Sequence, residues 1–324
     1  MPQATIQSVS WRNVMDEYVL KRVLPSGCSK VKMVIGKENS GKTMILRSVM
    51  QTAGELGFLN VYLDLHNNEY KLTDLASLYR TIVGAIPEKL LIEKLQNKIY
   101  ETFGYQTDGL KEYDGNILRL FVEKELEIFP NAEKRLRHKI NALVNALDIS
   151  FSHRIFLCRL LEDLAKADEQ NILPLFSWLK GEKLTRAEKA HLNLFETLKK
   201  ANARIWLYSL NEILTFAGFS GVILIWDHFE AVYNEEKSSI RYTKAARNDV
   251  YELLRQIIDD MDVLSRFLLL IASDEEFLQN EKFGAQSYHA LWMRIVPTAK
   301  HRQKVNPYAD IMHISQAETG EMHE

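Results

Sequence analysis

The sequence predicts an α/β fold, a parallel sheet with helices on both faces, and three observations point there. Runs such as Gly221–Trp226 and Phe267–Ala272 are apolar at every position instead of alternating, the pattern of strands covered on two sides. Long segments with apolar residues at three- and four-residue steps separate these runs, so strands alternate with helices. The 324 residues are 46% hydrophobic and 26% charged, a globular balance with material for one large core or two modest ones.

In chain order, the first strand is expected at Val31–Ile35 and the second at Asn60–Leu65. From Pro87 to Lys200 strand signals vanish, and KLLIEKLQNKIYETF, NILRLFVEKELEIF and IFLCRLLEDLAKA all carry helical spacing. Residues 87–200 therefore read as a helical insertion between two parts of one core, 1–86 and 201–314. The second part holds strands at Gly221–Trp226 and Phe267–Ala272 and a weaker one at Ile311–Ile314, and the polar residues 315–324 read as a flexible tail.

A net charge of −2 excludes a general basic coat, so DNA contact would have to come from local patches such as KRLRHK from Lys134 or KHRQK from Lys300. A solvated charged face is the competing reading of both. Cys28 and Cys158 are too few for a disulfide framework or a zinc site. No basic start followed by an apolar run opens the chain, and no stretch of eighteen uncharged apolar residues occurs, which predicts a cytoplasmic protein without a membrane span.

Gly36-Lys37-Glu38-Asn39-Ser40-Gly41-Lys42-Thr43 matches G-x-x-x-x-G-K-[ST] in full, between an expected strand and an expected helix. In such a loop the backbone N–H groups, here of Gly36, Asn39, Ser40, Gly41 and the first helical residues to Met44, ring a phosphate at the positive end of a helix. Lys42 then reaches the β- and γ-oxygens of ATP, and the Thr43 hydroxyl holds Mg²⁺. Asn39 stands where glycine is common, and asparagine tolerates the left-handed backbone better than other side chains do.

A second acid belongs at the end of a neighbouring strand, and Asp227 ends the most apolar one, where it would complete the Mg²⁺ shell with Thr43. The next residue is His228, where a water-polarising glutamate is usual, and a neutral imidazole brings no negative charge there. Glu230 is the substitute if the turn brings it round, and otherwise a solvated helix-start acid. Ser273, ending Phe267–Ala272, is the candidate phosphate sensor or, through Ser-x-x-Glu, a helix cap. Arg294 is an arginine finger toward a neighbouring subunit or a salt-bridged surface residue.

With these motifs in place, the chain resembles the P-loop ATPases of BREX-type bacteriophage-resistance systems, the BrxD/BrxC kind. The resemblance rests also on LGFLNVYLDL with LASLYRTIV, SWLKGEKL, GFSGVILIWDHFEAVY, FLLLIASDEEF and SYHALWMRI, in family order from about Trp11 to Ile314. It implies an AAA+/initiator-like P-loop NTPase core with a helical insertion, ATP and Mg²⁺ as cofactors, and partners among other defence proteins, with DNA near by. It carries phosphate and metal roles to Gly36, Gly41, Lys42, Thr43 and Asp227. The family usually has glycine at the position of Asn39 and an acid at that of His228. Two functions follow: an ATPase with slow or partner-stimulated hydrolysis, in a nucleotide-dependent oligomer if Arg294 acts in trans, or a non-hydrolysing nucleotide-gated scaffold.

Overall fold

The computed structural model describes residues 6–66, 72–105, 112–234, 242–299 and 306–314. The KHRQK segment and the tail from 315 lie outside them. The strands are β1 (Lys30–Gly36), β2 (Leu59–Asp64), β3 (Val222–Asp227), β4 (Phe267–Ser273) and β5 (Ile311–Ile314). The helices are α1 (Ile6–Val14), α2 (Lys42–Glu55), α3 (Leu75–Gly84), α4 (Glu88–Phe103), α5 (Ile117–Glu123), α6 (Phe129–Asn145), α7 (Phe151–Lys166), α8 (Ile172–Leu179), α9 (Arg186–Leu192), α10 (Ala203–Phe216), α11 (Lys244–Asp259), α12 (Glu276–Gln279) and α13 (His289–Ala299). Each expected strand is present to within a residue at either end.

The chain forms two compact units, Met1–Thr81 with Ser220–Glu324, and Ile82–Phe219. The first contains a five-stranded sheet in the order β2-β3-β4-β1-β5, and every neighbouring pair is parallel. Alternate residues of a strand face opposite sides, which explains why β3 and β4 are apolar at nearly every position. Ile223, Ile225, Leu268, Leu270 and Ala272 pack with Leu46, Val49 and Ala53 of α2 and Trp11 of α1 in one core cluster. Trp226, on the other face, stacks on Phe229 at 5.9 Å between centroids, and Phe229 meets Phe277 and Tyr251 from α12 and α11.

The second unit is entirely helical among the described residues, as its sequence spacing predicts. It extends past Lys200, the expected end of the insertion, to Phe219. The reason lies in α10, whose Trp206 packs on Trp178 of α8 at 4.6 Å and on His153 of α7 at 4.9 Å. Ser209 of α10 also accepts a 2.9 Å hydrogen bond from the Ser150 N–H at the start of α7.

Side chains start several helices as their residue types require. Ser150 caps α7 and Thr243 caps α11, and Thr185 with Glu188 forms a reciprocal capping box on α9. At the start of α2 stands Gly41, left-handed at φ 94°, with no side-chain cap.

Candidate functional site

The loop between β1 and α2 is built around two close approaches and two left-handed residues. A Cβ on Gly36 would lie 2.7 Å from the Ile314 carbonyl oxygen and 2.8 Å from Ser40 Oγ, so β5 and the loop exclude any side chain there. Asn39 takes φ 59°, the conformation its short amide side chain tolerates. Lys42 is 7% exposed, and its Nζ donates to the carbonyl oxygens of Gly36 at 2.7 Å and Lys37 at 2.8 Å. Ser40 Oγ is buried without a hydrogen-bond partner among the described residues. Thr43 is half-buried, while the Met44 side chain is exposed, which leaves Met44 only its backbone to offer the loop.

The strand register aligns the rest. Ile35 pairs with Ser273, Trp226 with Ile271, and Asp64 with Asp227. The carboxyl ends of β1, β4, β3 and β2 therefore present Gly36, Ser273, Asp227 and Asp64 along one edge of the sheet. Asp227 is fully buried; its Oδ2 accepts from Tyr62 Oη at 2.7 Å and its Oδ1 from the His228 N–H at 2.9 Å. Burial, then this bond to Asp227, pushes the Tyr62 phenol well above its ordinary pKa, so Tyr62 stays a donor.

His228 is left-handed, with φ 56° and ψ 44°. The turn it makes brings Glu230 back: His228 Nδ1 lies 3.6 Å from Glu230 Oε1, and His228 Nε2 lies 3.9 Å from Asp227 Oδ2. The Glu230 bond raises the imidazole pKa against the lowering effect of burial. Glu230 is 4% exposed and its Oε2 has no hydrogen-bond partner among the described residues. Burial works to raise its pKa, but His228, a backbone bond and the charge of Lys42 outweigh it and keep Glu230 below the usual carboxylate range. Of the two sequence alternatives for Glu230, the solvated acid is not the one found.

Ser273 is fully buried. Its hydroxyl contacts Tyr233 Oη at 2.8 Å, and Tyr233 donates to Asp274 Oδ1 at 2.5 Å. With the phenol O–H of Tyr233 directed at Asp274, Ser273 is the donor to Tyr233. The N–H of Glu276 is received by Asp274 Oδ1 at 3.1 Å, so the side chain that meets the start of α12 is that of Asp274, and the N-cap residue itself, Glu275, makes no side-chain cap.

Arg294 is not drawn to this edge. Its Nε and an Nη bond the two carboxylate oxygens of Asp259 at 3.0 and 3.1 Å, a bidentate pair between α13 and α11. In the basic segment of α6, Arg135 bonds Glu125 and Glu127 and lies over the Phe121 ring. Arg137 pairs with Glu133 and Glu162. Two of its cations are thus held by acids of the same unit.

Sequence reasoning missed Tyr62, Asp64, Tyr233 and Asp274. For Tyr62 and Asp64 a signal existed: alternation along NVYLD puts both on one face of a strand. Tyr233 follows a left-handed turn at a histidine, and nothing in the residue types announces that turn.

Together, the fold and this edge define an α/β protein whose polar groups converge at the carboxyl ends of parallel strands, where open sheets of this class hold ligands. The chain belongs to the family of BREX system ATP-binding proteins BrxC/D, whose model matches residues 17–324. The family expected from the ordered motifs is the family found. No curated protein matches the chain. Among the described residues, no helix is long and apolar enough to cross a membrane.

Proposed function

We propose that the chain is a P-loop NTPase of the AAA+/initiator-like kind that binds ATP and Mg²⁺ at the Gly36–Thr43 loop. It acts as the ATPase of a BREX-type defence assembly, with hydrolysis that is slow until a protein partner or DNA stimulates it. The observation that carries this reading is the pairing of buried Lys42 in that loop with buried Asp227 two strands away, β4 lying between them.

The residues fit the ligands. Ser40 Oγ is a buried hydroxyl with no partner inside the loop, and phosphate oxygens are acceptors for it. Lys42 Nζ rests on carbonyl oxygens, which phosphate oxygens can replace with a gain in charge. Mg²⁺ takes oxygen ligands and neutralises charge on the β- and γ-oxygens. Thr43 and Asp227 are its oxygen donors here, with Tyr62 fixing the Asp227 carboxylate.

Glu230 is the residue we assign to water. It is anionic, buried, close enough to Lys42 to feel its charge, and has one carboxylate oxygen uncommitted among the described residues. His228 orients that carboxylate, and Ser273 is held by Tyr233 for a sensing role. For Arg294 to reach a neighbouring subunit it must first leave Asp259.

A second reading, a nucleotide-gated scaffold without turnover, is favoured by His228 directly after Asp227. Phosphate release by the purified chain, alone and with DNA or other BREX components, separates the two. Lys42→Ala should abolish ATP binding, and Asp227→Asn should remove the Mg²⁺ dependence of binding. Glu230→Gln should keep binding but lower turnover by about 10²–10⁴-fold. If wild-type turnover never exceeds that of Lys42→Ala while ATP still binds, the scaffold reading stands.

A further inference from the structure

At the carboxyl ends of β2 and β3 lies a side-chain cluster of which the ATP reading uses only His228. β2 and β3 end in register, Asp64 opposite Asp227, and each is followed within two residues by a histidine, His66 and His228. The imidazoles stack, with centroids 4.2 Å apart and planes 19° apart. One nitrogen of each ring and a carboxylate oxygen of Asp64 all lie within 4.8 Å of one another, and all three residues are half-buried. Asp64 Oδ1 accepts the His66 backbone N–H at 3.0 Å, which holds the carboxylate in place.

We propose that Asp64, His66 and His228 form a binding site for a divalent transition-metal ion of the Zn²⁺ class. Two imidazoles and a carboxylate suit Zn²⁺ and its first-row neighbours, whereas Mg²⁺ and Ca²⁺ take oxygen ligands. Zn–N bonds of about 2.0–2.1 Å set tetrahedral ligand atoms about 3.3 Å apart, so rotation of these partly exposed side chains closes the site. Three protein ligands leave a fourth position for water or an anionic oxygen.

The surroundings support the same assignment. Metal-binding histidines usually present their other ring nitrogen to a carboxylate, and His228 Nδ1 faces Glu230 Oε1 at 3.6 Å, so the ion would take Nε2, which now lies 3.9 Å from Asp227 Oδ2. The left-handed backbone of His228, anchored by its N–H on Asp227 Oδ1, is what turns the ring toward β2. The ligand set shares no residue with Thr43 and Asp227, so the ion is additional to the proposed Mg²⁺.

The test is calorimetric titration of the full chain with Zn²⁺, in excess Mg²⁺ and without nucleotide. We expect one equivalent to bind, with the affinity lowered at least about 100-fold in His66→Ala and in Asp64→Ala, and about 10-fold in Glu230→Gln. Unchanged affinity in His66→Ala, or no binding by the wild type, overturns the site. Should a variant fail to fold, Co²⁺ added to the wild type decides: tetrahedral d–d bands without a thiolate charge-transfer band support it. A thiolate band, which would point to Cys28 or Cys158, or the absence of d–d bands overturns it. Because no nucleotide is present, a negative result leaves the ATP reading untouched, and loss of ATP binding in Lys42→Ala leaves the metal site untouched.

Discussion

In the sheet unit Asp227, Glu230, Ser273 and Asp274 are buried polar side chains at strand ends and in the turns that follow them, and Lys42 is buried at the first residue of α2. In the helical unit His153 instead sits among tryptophans, 5.0 Å from Trp178 and 4.9 Å from Trp206, with Nδ1 on Ser150 Oγ at 2.8 Å. The two histidines at issue respond in opposite directions. Contact with Glu230 raises the pKa of His228, while burial lowers that of His153 to about 3. Polar burial at an edge keeps a charge usable; polar burial inside an aromatic cluster keeps a ring neutral and structural.

The strongest way to break that contrast is to empty the aromatic cluster. Trp206→Ala should cost about 3–5 kcal/mol, the usual range for removing a buried tryptophan. Amide exchange should then lose protection across residues 82–219 while β1, β3 and β4 keep theirs. Equal loss in the strands would show one cooperative body and remove the distinction.

Acid sharpens it next. His153 has a folded pKa of about 3 against an ordinary 6.5, so between these values the unfolded chain binds the extra proton. Stability from this group is therefore complete above pH 6.5 and falls as pH drops toward 3. At pH 4.5 the loss should be roughly 2–3 kcal/mol. Denaturant melts at pH 7 and 4.5 check it: His153→Leu should show a smaller acid loss than the wild type, and an unchanged loss would place the acid sensitivity elsewhere.

Much of this arrangement was legible before any coordinates. Strands came through because buried parallel strands write themselves as unbroken apolar runs. The limit of the insertion was not legible. ARIWLYSLNEILTF of α10 has the same helical spacing whichever unit it packs in, and only tertiary contact of Trp206 decides that. Nor was the pairing of Asp64 and His66 with His228, since β2 and β3 meet across residues far apart in sequence. Ala167 and Leu126, both left-handed, gave no signal because their residue types rarely adopt that backbone.

Those left-handed positions supply the smallest test, again as a contrast. Ala167 ends α7 at φ 50° and ψ 39°, its N–H bonded to carbonyl oxygens of Asp163 and Leu164, and the site is built for glycine. Relief of a steric cost of about 1–2 kcal/mol, less the greater freedom glycine gains when unfolded, should leave Ala167→Gly more stable by about 0.5–1 kcal/mol. Asn39, at φ 59° in the loop between β1 and α2, carries less of that cost, so Asn39→Gly should shift stability by under about 0.5 kcal/mol. Urea midpoints at unchanged slope measure both. A larger gain at Asn39 than at Ala167 would mean that strain is held at the loop itself, and the edge of the sheet would then be storing energy as well as charge.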